Sequence, residues 1–198
     1  GASDFTIDQS LRFNAADSAR LTRTTSGTPT NSKKATISFW WKNSEADGGG
    51  SGSDRVFFGA GEAGYLYYRS DNTIGIYGTG VDYDFRTTAM FRDPSAWYHI
   101  VLAFDSEQGV STNRVKLYVN NEQVTAWNAN TYPAEDEVFA FNETSTSLYI
   151  GGGFAGYLHA GLAEFHFIDG TAYAPSDFGE AGDYGEWKPI EVSGLTYG

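Results

Sequence analysis

The chain has no cysteine, one methionine and only three histidines. Disulfides are therefore impossible, and thiolate zinc sites and thiol catalysis are excluded. Small secreted animal domains often carry a bridge, so the absence tilts the source toward bacteria or viruses. The three histidines, His99, His159 and His166, are scattered, and no pair falls at metal-ligand spacing. A zinc site is not expected. Apolar runs are short, none approaching about 18 residues, so no segment reads as a membrane-inserting helix. No signal peptide is visible; the opening Gly1-Ala2-Ser3 reads as a cloned fragment, a processed chain or part of something longer. Positive charge is scarce as well: 13 Lys and Arg stand against 25 Asp and Glu, a formal net charge of −12. Such a field repels phosphate backbones, and the few cations form no basic stripe, so nucleic acid is not an expected partner. Plain solubility is the simplest meaning of the acidity.

What is present is apolar and aromatic surface in short alternating runs. Hydrophobic residues make up 40% of the 198 positions and aromatics 16%, enough for a packed core. Ala35, Ile37, Phe39 and Trp41 alternate with Thr36, Ser38, Trp40 and Lys42, the period of a strand with one greasy face. Tyr98, Ile100, Leu102 and Phe104 repeat the pattern, as do Val115, Leu117 and Val119. Further strands are expected at 11–13, 55–59, 65–69, 74–77, 147–150 and 162–168, rich in β-branched and aromatic residues and bounded by Gly, Asn, Asp or Ser. Ser70-Asp71-Asn72 and Asn120-Asn121 read as turns. Only Pro175-Ser176-Asp177-Phe178 reads as a helical turn. Three long connections remain, at 43–54, 78–95 and 125–146. The first carries a glycine-serine run at 48–53 and is expected to be mobile. The other two are aromatic and acidic, and loops of that length are functional or hide further strands. There is no internal repeat and no interdomain linker, so residues 1–198 read as one all-β sandwich or barrel.

Four stretches carry a family resemblance: Ser10-Leu11-Arg12-Phe13-Asn14; Ala35 to Lys42; Trp97 to Asp105 followed by Arg114 to Asn121; and Leu148-Tyr149-Ile150-Gly151-Gly152 with the segment 161–178. In that order they resemble the laminin-G-like branch of the concanavalin-A-like lectin/glucanase superfamily. The Trp97 to Asn121 hairpin is the most specific match. The resemblance implies a two-sheet antiparallel jelly-roll sandwich. The tail, Ala163 to Ala172 with Pro175 to Glu180 and Gly185-Glu186-Trp187-Lys188-Pro189, is similar to segments of tail-fibre and related virion proteins of marine bacteriophages. That similarity implies a virion-surface, extracellular location and contact with a host glycan or receptor. Other virion proteins and a homo-oligomer are the alternative partners.

Several motifs look chemical. Glu164-Phe165-His166-Phe167-Ile168-Asp169 resembles the E-x-D-x-x-E strand of sandwich glucanases, but an imidazole stands where the middle acid belongs. The expectation is therefore no enzyme, with a glycoside hydrolase relative as the remote option. Gly59-Ala60-Gly61-Glu62-Ala63-Gly64 fits G-x-G-x-x-G, yet strand residues follow it where a helix would be required. Calcium is the one cofactor considered, because relatives of this fold carry it. Asp71 with Asn72 resembles the pentraxin arrangement, without its downstream acidic group; Asp82 with Asp84 and Glu135-Asp136-Glu137 are the other acidic candidates. The bland reading is turn and surface carboxylates. Sugar binding needs aromatic faces beside planar polar groups, and Trp127, Tyr132, Tyr83 and Tyr157 lie in or beside loops with Asp82, Asp84, Asn128 and Asn130. Equally, those aromatics could cover the sandwich edge or form a subunit contact. Asn142-Glu143-Thr144 is a formal glycosylation sequon.

Overall fold

The computed structural model describes residues 5–44, 54–79 and 83–198. The glycine-serine run at 48–53 and the candidate Asp82 lie outside the described residues. In chain order the strands are β1 (Leu11–Phe13), β2 (Leu21–Thr24), β3 (Lys34–Asn43), β4 (Arg55–Ala60), β5 (Gly64–Tyr68) and β6 (Ile74–Gly78). There follow β7 (Tyr83–Thr87), β8 (Tyr98–Asp105), β9 (Val115–Val119), β10 (Glu122–Gln123), β11 (Trp127–Thr131) and β12 (Ser147–Ile150). The last five are β13 (Gly152–Gly153), β14 (Gly156–Tyr157), β15 (Ala160–Asp169), β16 (Gly179–Ala181) and β17 (Trp187–Pro189). Helical structure among the described residues is confined to three 3-10 turns, at Ala15–Asp17, Ser111–Asn113 and Pro175–Asp177.

Two antiparallel sheets make the sandwich. The six-stranded sheet runs β1-β15-β3-β8-β9-β10 and the seven-stranded sheet β11-β7-β6-β5-β4-β12-β2. The hairpin that carried the family resemblance is β8–β9, with Leu102 opposite Leu117 and Phe104 opposite Val115. Asn120 and Asn121 turn the chain beyond β9 at φ of 50° and 70°, a backbone asparagine tolerates. Strands β7 and β11 lie inside the two long connections. The β11 run, Trp-Asn-Ala-Asn-Thr, is polar at most positions, and the β7 run, Tyr-Asp-Phe-Arg-Thr, alternates through only two apolar residues.

Inner faces meet in one aromatic core. Trp41 of β3 lies 4.9 Å from Phe57 and 4.8 Å from Tyr68, ring centre to ring centre. Fully burying a side chain of this size contributes about 2–3 kcal/mol relative to exposure, so these rings anchor the two sheets together. The other face of β3 departs from the expected single greasy face: Thr36, Ser38 and Trp40 are buried too. The C-terminal segment covers them. Phe178 joins Val101 and Ile168 in a second apolar cluster, with Tyr173, Val192 and Leu195 packed around it. The segment is tied down by polar bonds: Thr36 donates to the Thr171 carbonyl at 2.7 Å, and the Tyr173 amide donates back to the Thr36 hydroxyl at 2.8 Å. One sheet face is thereby removed from solvent.

Candidate functional site

On the seven-stranded sheet the strand alternation sends Leu66, Tyr68, Ile74, Ile76 and Phe85 inward, and Tyr65, Tyr67, Tyr77, Asp84 and Arg86 outward. Register then sets the outward residues in two rows. One row reads Thr22, Tyr149, Gly59, Tyr65, Tyr77, Asp84, Thr131 across all seven strands. The other reads Val56, Tyr67, Gly75, Arg86, Ala129. The ring of Tyr65 is 4.9 Å from that of Tyr67 and 5.2 Å from that of Tyr77. Tyr67 lies over Gly75, where a Cβ would come within 2.5 Å of the ring. A glycine at that position lets the tyrosine lie down on the sheet.

Polar groups frame the rings. Arg86 Nη2 donates to Asp84 Oδ2 at 3.0 Å beside Tyr77. At the other end, the Arg20 guanidinium sits 4.5 Å over the Tyr149 ring and 5.9 Å from that of Tyr157. Burial pushes the Tyr67 hydroxyl up to about 12. Burial, followed by Tyr77, Asp54 and Asp84, raises Tyr65 as well. Both phenols stay protonated at any physiological pH and remain donors as well as acceptors. Aromatic faces beside a fixed carboxylate–guanidinium pair can stack against a flat apolar surface while hydrogen-bonding hydroxyls at its edge.

The sequence-derived candidates divide in three. Asp84 belongs to this face, and Tyr157 adjoins its far end through Arg20. Trp127 and Tyr132 both pack edge-on against Phe85, at 5.2 and 4.8 Å, and close the rim of the sandwich beside β7. Asn128 on the same strand donates to the Thr87 carbonyl at 3.1 Å, and Asn130 is exposed. Tyr83 is a correction. It points inward, 1% exposed, packed between Phe104 and Phe139 with its ring against Gly78. The inward parity of β7 makes it core, and it takes no part in a surface site.

The expected ion site does not fit its residues. Asp71 Oδ1 accepts the Thr73 hydroxyl and amide, and its other oxygen pairs with Arg69. Partial burial works to raise the Asp71 carboxyl, but Thr73 and Arg69 outweigh it and hold it below the ordinary value. Asn72 Oδ1 accepts from the Tyr68 hydroxyl at 2.6 Å, in a buried turn. Calcium needs about six to eight free oxygens, and these are spent inside the protein. Among the described residues no group of three or more His, Cys, Asp or Glu side chains is placed to hold a metal.

The other motifs resolve structurally. The Gly59 to Gly64 run is the β4–β5 hairpin, turned by Gly61 at φ 56°. Glu164 sits in a bulge of β15 at φ 47°, with its carboxylate 3.9 Å from His166 Nε2. Asp169 is occupied elsewhere: it accepts from Asn142 Nδ2 at 2.6 Å and from the Thr30 and Asn31 amides. Asn142 itself is 4% exposed and also donates to the Asn31 and Lys34 carbonyls, so the acceptor asparagine of the sequon is buried. The residues that sequence reasoning missed are Tyr65, Tyr67, Tyr77 and Tyr149. Their signal was tyrosine at alternating positions of short strands, but tyrosines on both parities (Tyr67 beside Tyr68) hide which face is inside.

A sequence profile of the concanavalin A-like lectin/glucanases superfamily matches residues 14–174. No curated protein sequence matches the chain. Among solved structures, the laminin α1 chain of mouse, domains LG4-5, superposes with a TM-score of 0.54 at 10% identity, over 98% of this chain and 47% of that one. Domain 4 of a GH43 extracellular arabinanase from Geobacillus stearothermophilus, in complex with arabinotriose, gives 0.51 at 19% identity, over 74% of this chain and 65% of that one. A Trypanosoma rangeli sialidase in complex with sialic acid gives 0.47 at 15% identity over 73% of this chain. This chain spans only 22% of the sialidase's length. The likenesses to the laminin and arabinanase domains establish the jelly-roll fold.

Proposed function

The chain belongs to the concanavalin A-like lectin/glucanases superfamily, and on that premise we propose that it is a non-catalytic module binding a glycan on the outer face of its seven-stranded sheet. The observation that carries the reading is the Tyr65–Tyr77 pair with the Asp84–Arg86 bridge at its edge. Pyranose rings present apolar C–H faces to stack on such phenols, and their hydroxyls suit a fixed carboxylate–guanidinium pair. The net charge of −12 opposes polyanionic glycans, so the expected ligand is a neutral oligosaccharide. The non-catalytic part of the reading draws on β15, where Glu164 stands in a bulge next to a histidine and Asp169 is committed to holding loops. A retaining glycosidase needs two free carboxyls about 5 Å apart, and the Asp169 carboxylate is already engaged by three donors. The phage-like tail supports placing the module on a virion surface, in contact with a host glycan or receptor.

A second reading, a structural or decoration module that contacts other virion proteins or copies of itself, draws on exposed rings at two hairpin tips. Phe154 is 71% exposed and Tyr184 97% exposed.

A glycan array followed by calorimetry separates the two. The wild-type domain is expected to bind a neutral oligosaccharide equally with calcium and with a chelator. Tyr65→Ala and Tyr77→Ala each weaken that binding about tenfold or more, as lost stacking contacts do, while Trp127→Ala leaves it in place. An array negative for every sugar, with the domain eluting as an oligomer, overturns the glycan reading in favour of the structural one.

A further inference from the structure

Where the edge strand β2 faces the C-terminal half of β15, the two inner faces of the sandwich do not close. A cavity of about 650 Å³ opens there, between Leu148 and Ile150 of β12, Phe58 of β4, and Phe165 and Phe167 of β15. Its size falls in the range of small-molecule sites, about 300–1,000 Å³. The aromatic floor is continuous: Phe58 lies 5.3 Å from both Phe165 and Phe167, and Phe165 stacks on Phe39 at 5.5 Å. Phe165 and Phe167 point inward yet stay only half-buried, and on the β2 side Leu21 and Arg23 line the opening they face.

The residue that leaves the gap is Arg23. Register places it opposite Leu148, on the inner face of β2, where an aliphatic side chain would have filled the space. An inward charge on an edge strand discourages strand addition, but that role does not require an aromatic-lined void behind it. Arg23 also has no carboxylate partner among the described residues, although it lines the same cavity as Asp169. Asp169 is engaged with Asn142, Thr30 and Asn31. The cavity thus combines an apolar body with one unpaired guanidinium at its β2 wall, while Glu143 lines the loop side of the same opening.

We propose that this slot binds an amphipathic monocarboxylate, with its apolar body against Phe58, Phe165 and Phe167 and its carboxylate on Arg23. A guanidinium takes a carboxylate through two parallel charge-assisted hydrogen bonds, and the aromatic floor accepts a flat ring system or an acyl chain. The site lies between the sheets, on the opposite side of the seven-stranded sheet from the tyrosine face, and stands independently of the glycan reading.

The test is a fluorescence titration of the whole domain with cis-parinaric acid and with its methyl ester. The acid is expected to bind saturably, one molecule per chain, and more tightly than the ester. Arg23→Gln, an exposed edge position, weakens the acid about tenfold, the scale of one charge-assisted pair, and leaves the ester unchanged. Leu21→Trp, at the exposed lip of the slot, weakens both. Absence of saturable binding to the wild type overturns the proposal, as does an acid affinity that Arg23→Gln does not move. Glycan binding measured on the same Arg23→Gln sample stays at the wild-type level, so a failure of either site is read separately.

Discussion

His99 lies under the C-terminal segment between two partners of different kind. Trp187 Nε1 donates to its Nδ1 at 2.9 Å, and its Nε2 lies 2.9 Å from the Ser38 hydroxyl. Indole is a donor only, so Nδ1 is the bare nitrogen and Nε2 carries the proton toward Ser38. That tautomer cannot take a proton from Ser38, and the pair is not a nucleophile and its base. Burial, then the nearby His166, pushes His99 down to about 3, and burial lowers His166 as well. The unfolded chain takes up these protons near pH 6.5, whereas folded His99 stays neutral to about pH 3. The stability it contributes is complete above pH 6.5 and is lost as the pH falls through that window. Urea melts should show stability dropping by up to about 1.4 kcal/mol per pH unit between pH 6 and 4.5. His99→Gln should flatten that slope; an unchanged slope would mean the acid sensitivity arises elsewhere. Residue type alone did not separate such roles. Tyr83 and Tyr65 carry the same side chain, one sealed in the core and one on the surface.

Strand β15 shows how an element departs from its own pattern. Its register against β3 shifts between Ala163 and His166, and Glu164 takes φ 47° within the bulge. The bulge sets the Glu164 carboxylate beside His166, while Asp169 further along the strand holds the Thr30 and Asn31 amides and Asn142. A left-handed backbone costs a non-glycine residue about 1–2 kcal/mol, part of which glycine returns as chain entropy. Glu164→Gly is therefore expected to raise stability by about 0.5–1 kcal/mol, seen as a higher urea midpoint, while Glu164→Val lowers it. Strands β3, β9 and β12 were legible because large apolar residues alternate with more polar ones, and β8 because Tyr98, Ile100, Leu102 and Phe104 recur at every second position. Strands β2 and β11 were not, since Thr, Arg and Asn fill most of their positions, nor was β7, whose alternation rests on Tyr83 and Phe85 alone. They are strands because neighbours pair with them, a cause that no local window contains.

At the scale of the molecule, the C-terminal segment decides which surface is available. It buries the outer face of the six-stranded sheet over Ser38, Trp40 and His99, through Phe178, Trp187 and Tyr173. Removing residues 171–198 should expose Trp40, Val101 and Ile168 as a contiguous apolar patch. The truncated chain is expected to self-associate in sedimentation, whereas the full chain stays monomeric. A truncated chain that stays monomeric would show that the segment is not a covering layer. The same layer concentrates any sheet-face binding on the seven-stranded side, where the tyrosines stand.

The sequence by itself determined the fold class, because period-two alternation and turn residues are local properties that a single strand or hairpin expresses. It also named Asp84 and Tyr157, near the two ends of the tyrosine face, from their company of loops and polar neighbours. Only the tertiary structure decided the middle of that face and the slot between the sheets. Tyr149, Gly59, Tyr65 and Tyr77 become neighbours through strand register, and Arg23 leaves a void only because Leu148 lies opposite it. Which side of an aromatic strand meets solvent is settled by what packs on the other side, and those partners lie far away along the chain.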